Sequence, residues 1–312
     1  MSKLALRALR GDHPLAFLAA LGVARVAQED CRRETRLGWP QGPRNGAAIE
    51  VDGVSTVDGL AEMLFGVVAS MQRDDHLIPN IGDFPPRKEG DSGRDPLRTL
   101  GRTELRYLAE GCRFDDVRGR WLAGMLAVGG DPEHDRFDKS SALLTPTGQT
   151  TVDRYLRSNR NAVRDAADLK SALMAWRRRD GDNPAVYLDP AAMRGVGTTN
   201  ESKTKNYTDP AAVWLALMAL PLFPVVGRDN GSTSTTNWAR RKRASVLIWP
   251  TWSPLLPLAA IGPLLSHPLV TRPSERSAAL GISAVFESIR QPGTNAEGPL
   301  AAADQVWPKR AS

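Results

Sequence analysis

Apolar residues near the start of the chain recur at helical intervals. In GDHPLAFLAALGVARVA the leucines fall on one face of an α-helix, and Asp12 and Pro14 are typical of an N-cap and a first turn. The segment AAIEVDG has strand-like alternation, and VDGLAEMLFGVVASMQR has helical spacing after Thr56. The pattern therefore predicts a helix, a strand and a second helix in this order.

The later pattern is rich in helices and poor in strands. Helical spacing returns through residues 97–111, 119–129 and 142–176 and in DPAAVWLALMAL. Two apolar runs, LFPVV and SVLIW, flank a polar and basic segment. These runs predict a hairpin near residues 222–249.

Together these patterns predict an α+β fold that is helix-rich, with two lobes and a few short antiparallel strands. Residues 1–135 are expected to form an N-terminal helical lobe, and residues 136–312 an α+β lobe that carries the basic hairpin. Residues 79–96 (PNIGDFPPRKEGDSGRDP) are a candidate mobile loop. From Gln291 onward the chain is expected to form a loose tail.

One long segment raises the question of a membrane span. Residues 244–271 contain no Asp, Glu, Lys or Arg, but five prolines interrupt them. Each proline removes a backbone donor that lipid cannot replace, so this segment is predicted to be buried protein structure. The two cysteines, Cys31 and Cys112, have no metal-binding spacing and are expected in a reducing cytoplasm.

Composition permits a polyanionic partner without requiring one. The chain has 41 Lys and Arg against 35 Asp and Glu, a net charge of +6. The segment GRDNGSTSTTNWARRKR concentrates cations beside hydroxyl and amide groups, all of which suit phosphate oxygens. Trp238 could stack on a base or close the loop. A charged, exposed hairpin without a ligand is the alternative. The predicted nucleic-acid-binding residues here are Ser232, Thr233, Asn237, Trp238, Arg240, Arg241, Lys242 and Arg243.

A second basic cluster follows the sequence TPTGQTT. Its arginines lie near helical intervals, and the residues before them would present free backbone donors at a helix entry. The predicted binding residues are Gly148, Gln149, Thr150, Arg154, Arg157, Arg160 and Arg164.

Sequence motifs for catalysis are scarce. The chain lacks the GxxxxGK[ST], GxSxG and HExxH motifs. His134 and Asp135, together with His76, leave open a metal-dependent phosphohydrolase or nuclease. We expect no catalytic site, bound metal or cofactor.

Several segments resemble proteins of the type I-G (formerly I-U) CRISPR systems. The start GDHPLAFLAALGVARV is similar to theirs, as is the later order LLTPTGQTTVDRYLR, YLDPAAMR, AVWLALMALPLFPV and WPTWSPLLPL. The resembling proteins include the large subunit of the surveillance complex and smaller accessory proteins. The resemblance implies a non-catalytic subunit that binds guide RNA, target DNA or both, together with other effector subunits. A protein-only adaptor using apolar surface around Trp249 and Trp252 is the alternative.

Overall fold

The computed structural model describes most of the chain, with gaps. The described residues are 1–81, 102–112, 117–127, 141–144, 151–181, 188–191, 206–227, 233–241, 244–292 and 297–309. Most of the predicted loop 79–96 lies outside them.

The helices that the structure describes follow the predicted order. They are α1 (Pro14–Arg25), α2 (Val57–Arg73), α3 (Arg102–Glu110), α4 (Val117–Met125), α5 (Val152–Ala162), α6 (Ala166–Met174), α7 (Pro210–Leu217), α8 (Leu258–Leu265) and α9 (Pro268–Thr271). Thr56 caps α2 as predicted, with its hydroxyl accepting from the Gly59 amide. The N-cap predicted for α1 was wrong by one position: His13 caps it through the ring, while Asp12 pairs with Arg10.

Every strand pairing between the described elements is antiparallel. The strands are β1 (Lys3–Leu6), β2 (Thr35–Gly38), β3 (Ala47–Val51), β4 (Arg179–Gly181), β5 (Asn206–Thr208), β6 (Val225–Gly227), β7 (Thr233–Thr235), β8 (Trp238–Arg241), β9 (Ala244–Trp252), β10 (Leu256–Pro257), β11 (Ile282–Pro292), β12 (Glu297–Leu300) and β13 (Asp304–Trp307). One sheet has the order β1-β3-β2-β10. A second has the order β12-β11-β9-β8, with β13 also on β11, and β4–β5 and β6–β7 form ribbons. The predicted α+β class is confirmed.

Two local strand predictions were wrong. The run at residues 222–226 does not pair with SVLIW; β6 pairs with β7, and β8 pairs with β9, so the region folds as two successive hairpins. The segment after Gln291 is not a loose tail where it is described, because β12 and β13 both pair with β11. Alternation within a segment indicates a strand but does not specify which neighbouring strand it pairs with.

The core joins the two halves of the sequence. Helix α1 is buried all around and packs on α7, where a Cβ on Gly22 would lie 1.7 Å from the backbone oxygen of Leu215. Only glycine permits this approach. Residues from 1–135 and from 136–312 share this core. The division into two lobes therefore stays a prediction.

An aromatic cluster lies at the same junction. Trp39 and Trp252 meet edge to face at 5.0 Å, and Phe17 stacks on Trp39 at 5.6 Å. Trp249 and Trp252 are fully buried and donate from their indole nitrogens to backbone oxygens. The exposed apolar surface that the adaptor alternative placed around Trp249 and Trp252 is therefore wrong. None of the described helices combines the length and apolarity that crossing a bilayer requires.

Candidate nucleic-acid interface

The link between β7 and β8 is held firmly in place. The backbone nitrogen and hydroxyl of Thr236 both donate to the oxygen of Pro224, at 3.0 Å each. Asn237 has a left-handed backbone with φ of 65°, which asparagine tolerates better than most residues. Its carbonyl accepts from the Ile248 amide at 2.8 Å, so the link is tied to β9. These bonds fix where the following arginines begin.

A groove of about 940 Å³ runs along β7, β8 and the link between them, and it faces the segment around α9. Among its described lining residues are three arginines, one histidine and several hydroxyl groups, with no Asp or Glu. The polar residues are Thr233, Ser234, Thr235, Thr236, Asn237, Arg240, Arg241, Ser245, Ser266, His267, Thr271 and Arg272. A concave surface with this lining favours an anionic ligand.

The groove arginines differ in their neighbours. Arg240 and Arg272 are exposed, and neither forms a salt bridge with a carboxylate in the described parts of the chain. Arg241 is half-exposed and lies 2.6 Å from a carboxylate oxygen of Glu287 on β11. Two of the three guanidinium groups are therefore available to an external anion.

Two adjacent buried donors also line the groove. The Nδ2 of Asn237 and the Nε1 of Trp238 have no hydrogen-bond acceptor among the residues that the structure describes. Each such buried donor costs about 1–3 kcal/mol. The guanidinium of Arg290 stands 5.0 Å from the centre of the Trp238 ring, and Arg290 donates to the carbonyls of Gly298 and Ala142. The ring is thereby held on one face by a cation.

The predicted α5 cluster has a different character. Thr151 caps the helix by accepting from the Arg154 amide at 3.1 Å, and Arg154 itself is exposed. Arg157 forms salt bridges with Asp75 and Asp153, and Arg164 pairs with Asp168 at 3.3 Å. Aspartates therefore neutralise part of this surface.

Arg160 is turned into the protein. Its side chain is only 2% exposed, and its guanidinium donates to the carbonyls of Met71 and His76 and to Asp75. The hydrogen bond from Arg160 lowers the pKa of Asp75; burial opposes this shift, and the Arg157 guanidinium adds to it. Arg160 thus joins α5 to the end of α2 instead of facing solvent.

Some predicted residues cannot be placed. Gly148, Gln149, Thr150, Ser232, Lys242 and Arg243 lie outside the described residues. Conversely, sequence reasoning missed His267 and Arg272 in the groove. Each is an isolated polar residue at the edge of an apolar segment, so neither had a local signal. Only the turn of the chain at α9 brings them opposite β8.

The enzymatic alternative gains no support from the described part of the molecule. The carbonyl of His76 accepts from Arg160, while His134 and Asp135 lie outside the described residues. Within the described ranges, no group of three or more His, Cys, Asp or Glu could hold a metal ion. Burial, with the nearby Asp30, raises the pKa of the free thiol of Cys31 to about 11, which keeps it protonated.

A further polar cluster also escaped sequence reasoning. The buried carboxylate of Asp189 accepts from Arg178 at 2.8 Å and lies 3.5 Å from Nε2 of His13. Burial opposes ionisation, but the bonds from His13 and Arg178 lower the pKa of Asp189. Because His13 also caps α1, this cluster secures the start of that helix.

A search of protein-family models found no match to this chain, and a search of curated proteins found none either. The geometry of the groove therefore carries the functional argument.

Proposed function

We propose that this protein binds nucleic acid without catalysing a reaction, and that the groove along β7 and β8 holds the sugar–phosphate backbone. The observation that carries the proposal is the lining of the groove. Arg240 and Arg272 face it without a carboxylate partner among the described residues, and no described lining residue is acidic.

The chemistry of the groove suits a phosphodiester chain. A guanidinium group donates two parallel hydrogen bonds to phosphate oxygens, which gives both attraction and orientation. The hydroxyls of Thr233 and Ser234 add neutral donors of the kind that position a backbone. A cluster of this type attracts a polyanion over a distance and releases counterions when it binds.

Binding to labelled single-stranded RNA and DNA, followed by fluorescence anisotropy across a range of salt concentrations, tests the proposal. We expect the logarithm of affinity to fall linearly with the logarithm of salt concentration. The double substitution Arg240→Gln and Arg272→Gln should weaken binding and reduce the slope by about 2, or about 1 for each lost phosphate contact.

The matched control is Arg154→Gln with Arg164→Gln, which removes the same charge from α5. We expect it to change the slope less, since Arg164 already has an aspartate partner. Equal losses in the two double variants would assign binding to general surface charge, and unchanged binding in the groove variant would refute the proposal.

We further propose that the protein is a cytoplasmic subunit of a CRISPR effector complex, with guide RNA, target DNA or both, and other effector subunits, as partners. The support for this step is the resemblance of its segments to type I-G proteins. Co-expression with the products of neighbouring genes, followed by purification at low salt, tests it. Discrete short RNA in the complex, removed by nuclease, is the expected result. A protein that purifies without nucleic acid or partners in both preparations would contradict it.

A further inference from the structure

The groove combines cationic and apolar lining. Ile248, Leu265 and Trp238 line it together with Arg240 and Arg272. A double helix presents its phosphates on a convex outer surface and keeps its bases stacked inside. A single strand exposes both phosphates and bases, so it can fill a concave groove that offers cations and an aromatic ring together.

The two unpartnered donors indicate where a base would be held. Asn237 is only 6% exposed, lines the groove, and has no acceptor for its Nδ2 within the described structure. The Nε1 of Trp238, on the next residue, is also buried and also has no acceptor within the described structure. A phosphate would find more accessible donors at Arg240 and Arg272. A base edge, which carries oxygen and nitrogen acceptors, complements a buried amide beside an aromatic ring.

We propose that the groove binds single-stranded nucleic acid and takes up one base at Asn237 and Trp238. The base stacks on the Trp238 ring and accepts a hydrogen bond from the Asn237 amide, while Arg240 and Arg272 hold flanking phosphates. This assignment rests on the proposed function. Arg290 covers one face of the ring, so the base takes the opposite face. Because both donors are shielded from water, the side chains that cover them must shift as the base enters.

Three probes of equal length separate the contributions of base, backbone and strand number. They are oligothymidylate, an abasic oligonucleotide that has only sugars and phosphates, and a duplex, with oligouridylate as the RNA counterpart. Anisotropy at fixed salt concentration measures each affinity. We expect oligothymidylate to bind at least about ten-fold more tightly than the abasic probe, which is the scale of one stacked base. The duplex should bind about as weakly as the abasic probe.

The variant Asn237→Gly tests the role of the amide without adding charge, and glycine accepts the left-handed backbone of this position. We expect it to reduce the preference for oligothymidylate over the abasic probe several-fold, because oligothymidylate binding loses more affinity than abasic binding does. Trp238→Phe keeps a stacking ring and should retain most of the preference. A purely structural role of Asn237 would instead weaken binding of both probes equally and would overturn its assignment as a base contact.

The outcomes distinguish this inference from the function on which it rests. If the abasic probe or the duplex binds as tightly as oligothymidylate, and binding still depends on Arg240 and Arg272, the base site is refuted and backbone binding stands. If the affinity for none of the probes depends on these arginines, both proposals are refuted. A preference of oligouridylate over oligothymidylate, or the reverse, shows which of these two strands the groove binds more tightly.

Discussion

Two basic regions that look alike in sequence have opposite surroundings in the fold. The arginines of α5 meet Asp75, Asp153 and Asp168, and one of them is buried against backbone carbonyls. The groove arginines have Glu287 as their one carboxylate partner among the described residues. The difference teaches that the number of cations in a segment does not determine its free charge. The partners that neutralise them do.

The origin of those partners explains the difference. Asp153 and Asp168 are four positions from the arginines that they bind, so the helix itself brings each pair together. Asp75 comes from the end of α2 and reaches α5 only through tertiary packing. The strand β8, in contrast, places Arg240 and Arg241 beside Ala244 and Ser245 on its neighbour β9, which carry no charge.

The largest effect that we expect concerns Arg160. Arg160→Met keeps an apolar stem but leaves the carbonyls of Met71 and His76 without their charged donor. The free energy of unfolding should fall by roughly 3 kcal/mol, as measured by urea denaturation. Arg154→Met on the exposed side of the same helix should change it by less than about 0.5 kcal/mol. Similar values for the two variants would show that burial does not separate these arginines.

A smaller effect, on binding, should distinguish the arginines within the groove. Arg240→Gln should weaken nucleic-acid binding and reduce the salt slope by about 1, as expected for one lost phosphate contact. Arg241→Gln should have a smaller effect on both quantities, because Glu287 already holds this guanidinium. Anisotropy titrations at several salt concentrations measure both variants. The reverse order would mean that the pair with Glu287 opens when the strand binds.

Removing the acidic partner should produce a gain. Glu287→Gln leaves Arg241 with a neutral neighbour and frees it for phosphate, so affinity should rise roughly two- to four-fold, within the range of one partly exposed ion pair. The gain should vanish when Arg241→Gln is also present. A gain that persists in the double variant would point to a general change in charge instead of release of Arg241.

The smallest effect that we expect is a loss of stability at acidic pH. The folded protein holds the pKa of Asp75 below that of the unfolded chain, first through the hydrogen bond from Arg160. Its stabilising contribution is therefore complete at neutral pH and is lost as pH falls below about 4, through the folded pKa. Because Asp75 is largely exposed, the contribution should be under about 1 kcal/mol. Denaturation of the wild type and of Asp75→Asn should differ at pH 7 and converge in acid.

Local sequence signals predicted the helices well, but they predicted poorly which strands pair and which side chains meet. Thr56 and Thr151 each cap the predicted helix because a hydroxyl followed by helical spacing is a signal contained in a few residues. The burial of Arg160 and the placement of Arg272 opposite β8 depend on residues far away in sequence. No period or motif in one segment encodes these contacts. The candidate site was therefore only half predictable: its hairpin side was marked by composition, and its α9 side was not.

The close packing of α1 against α7 has a consequence for folding during synthesis. Arg25 at the end of α1 and Met218 just after α7 are 193 positions apart and share a hydrogen bond. At 5–20 residues per second, a ribosome takes roughly 10–40 s to synthesise the stretch between them. During that time the apolar sides of α1, all of which are buried in the finished fold, lack their partner. The apolar surface of α1 therefore stays without this partner for most of synthesis, and slower translation lengthens this exposure.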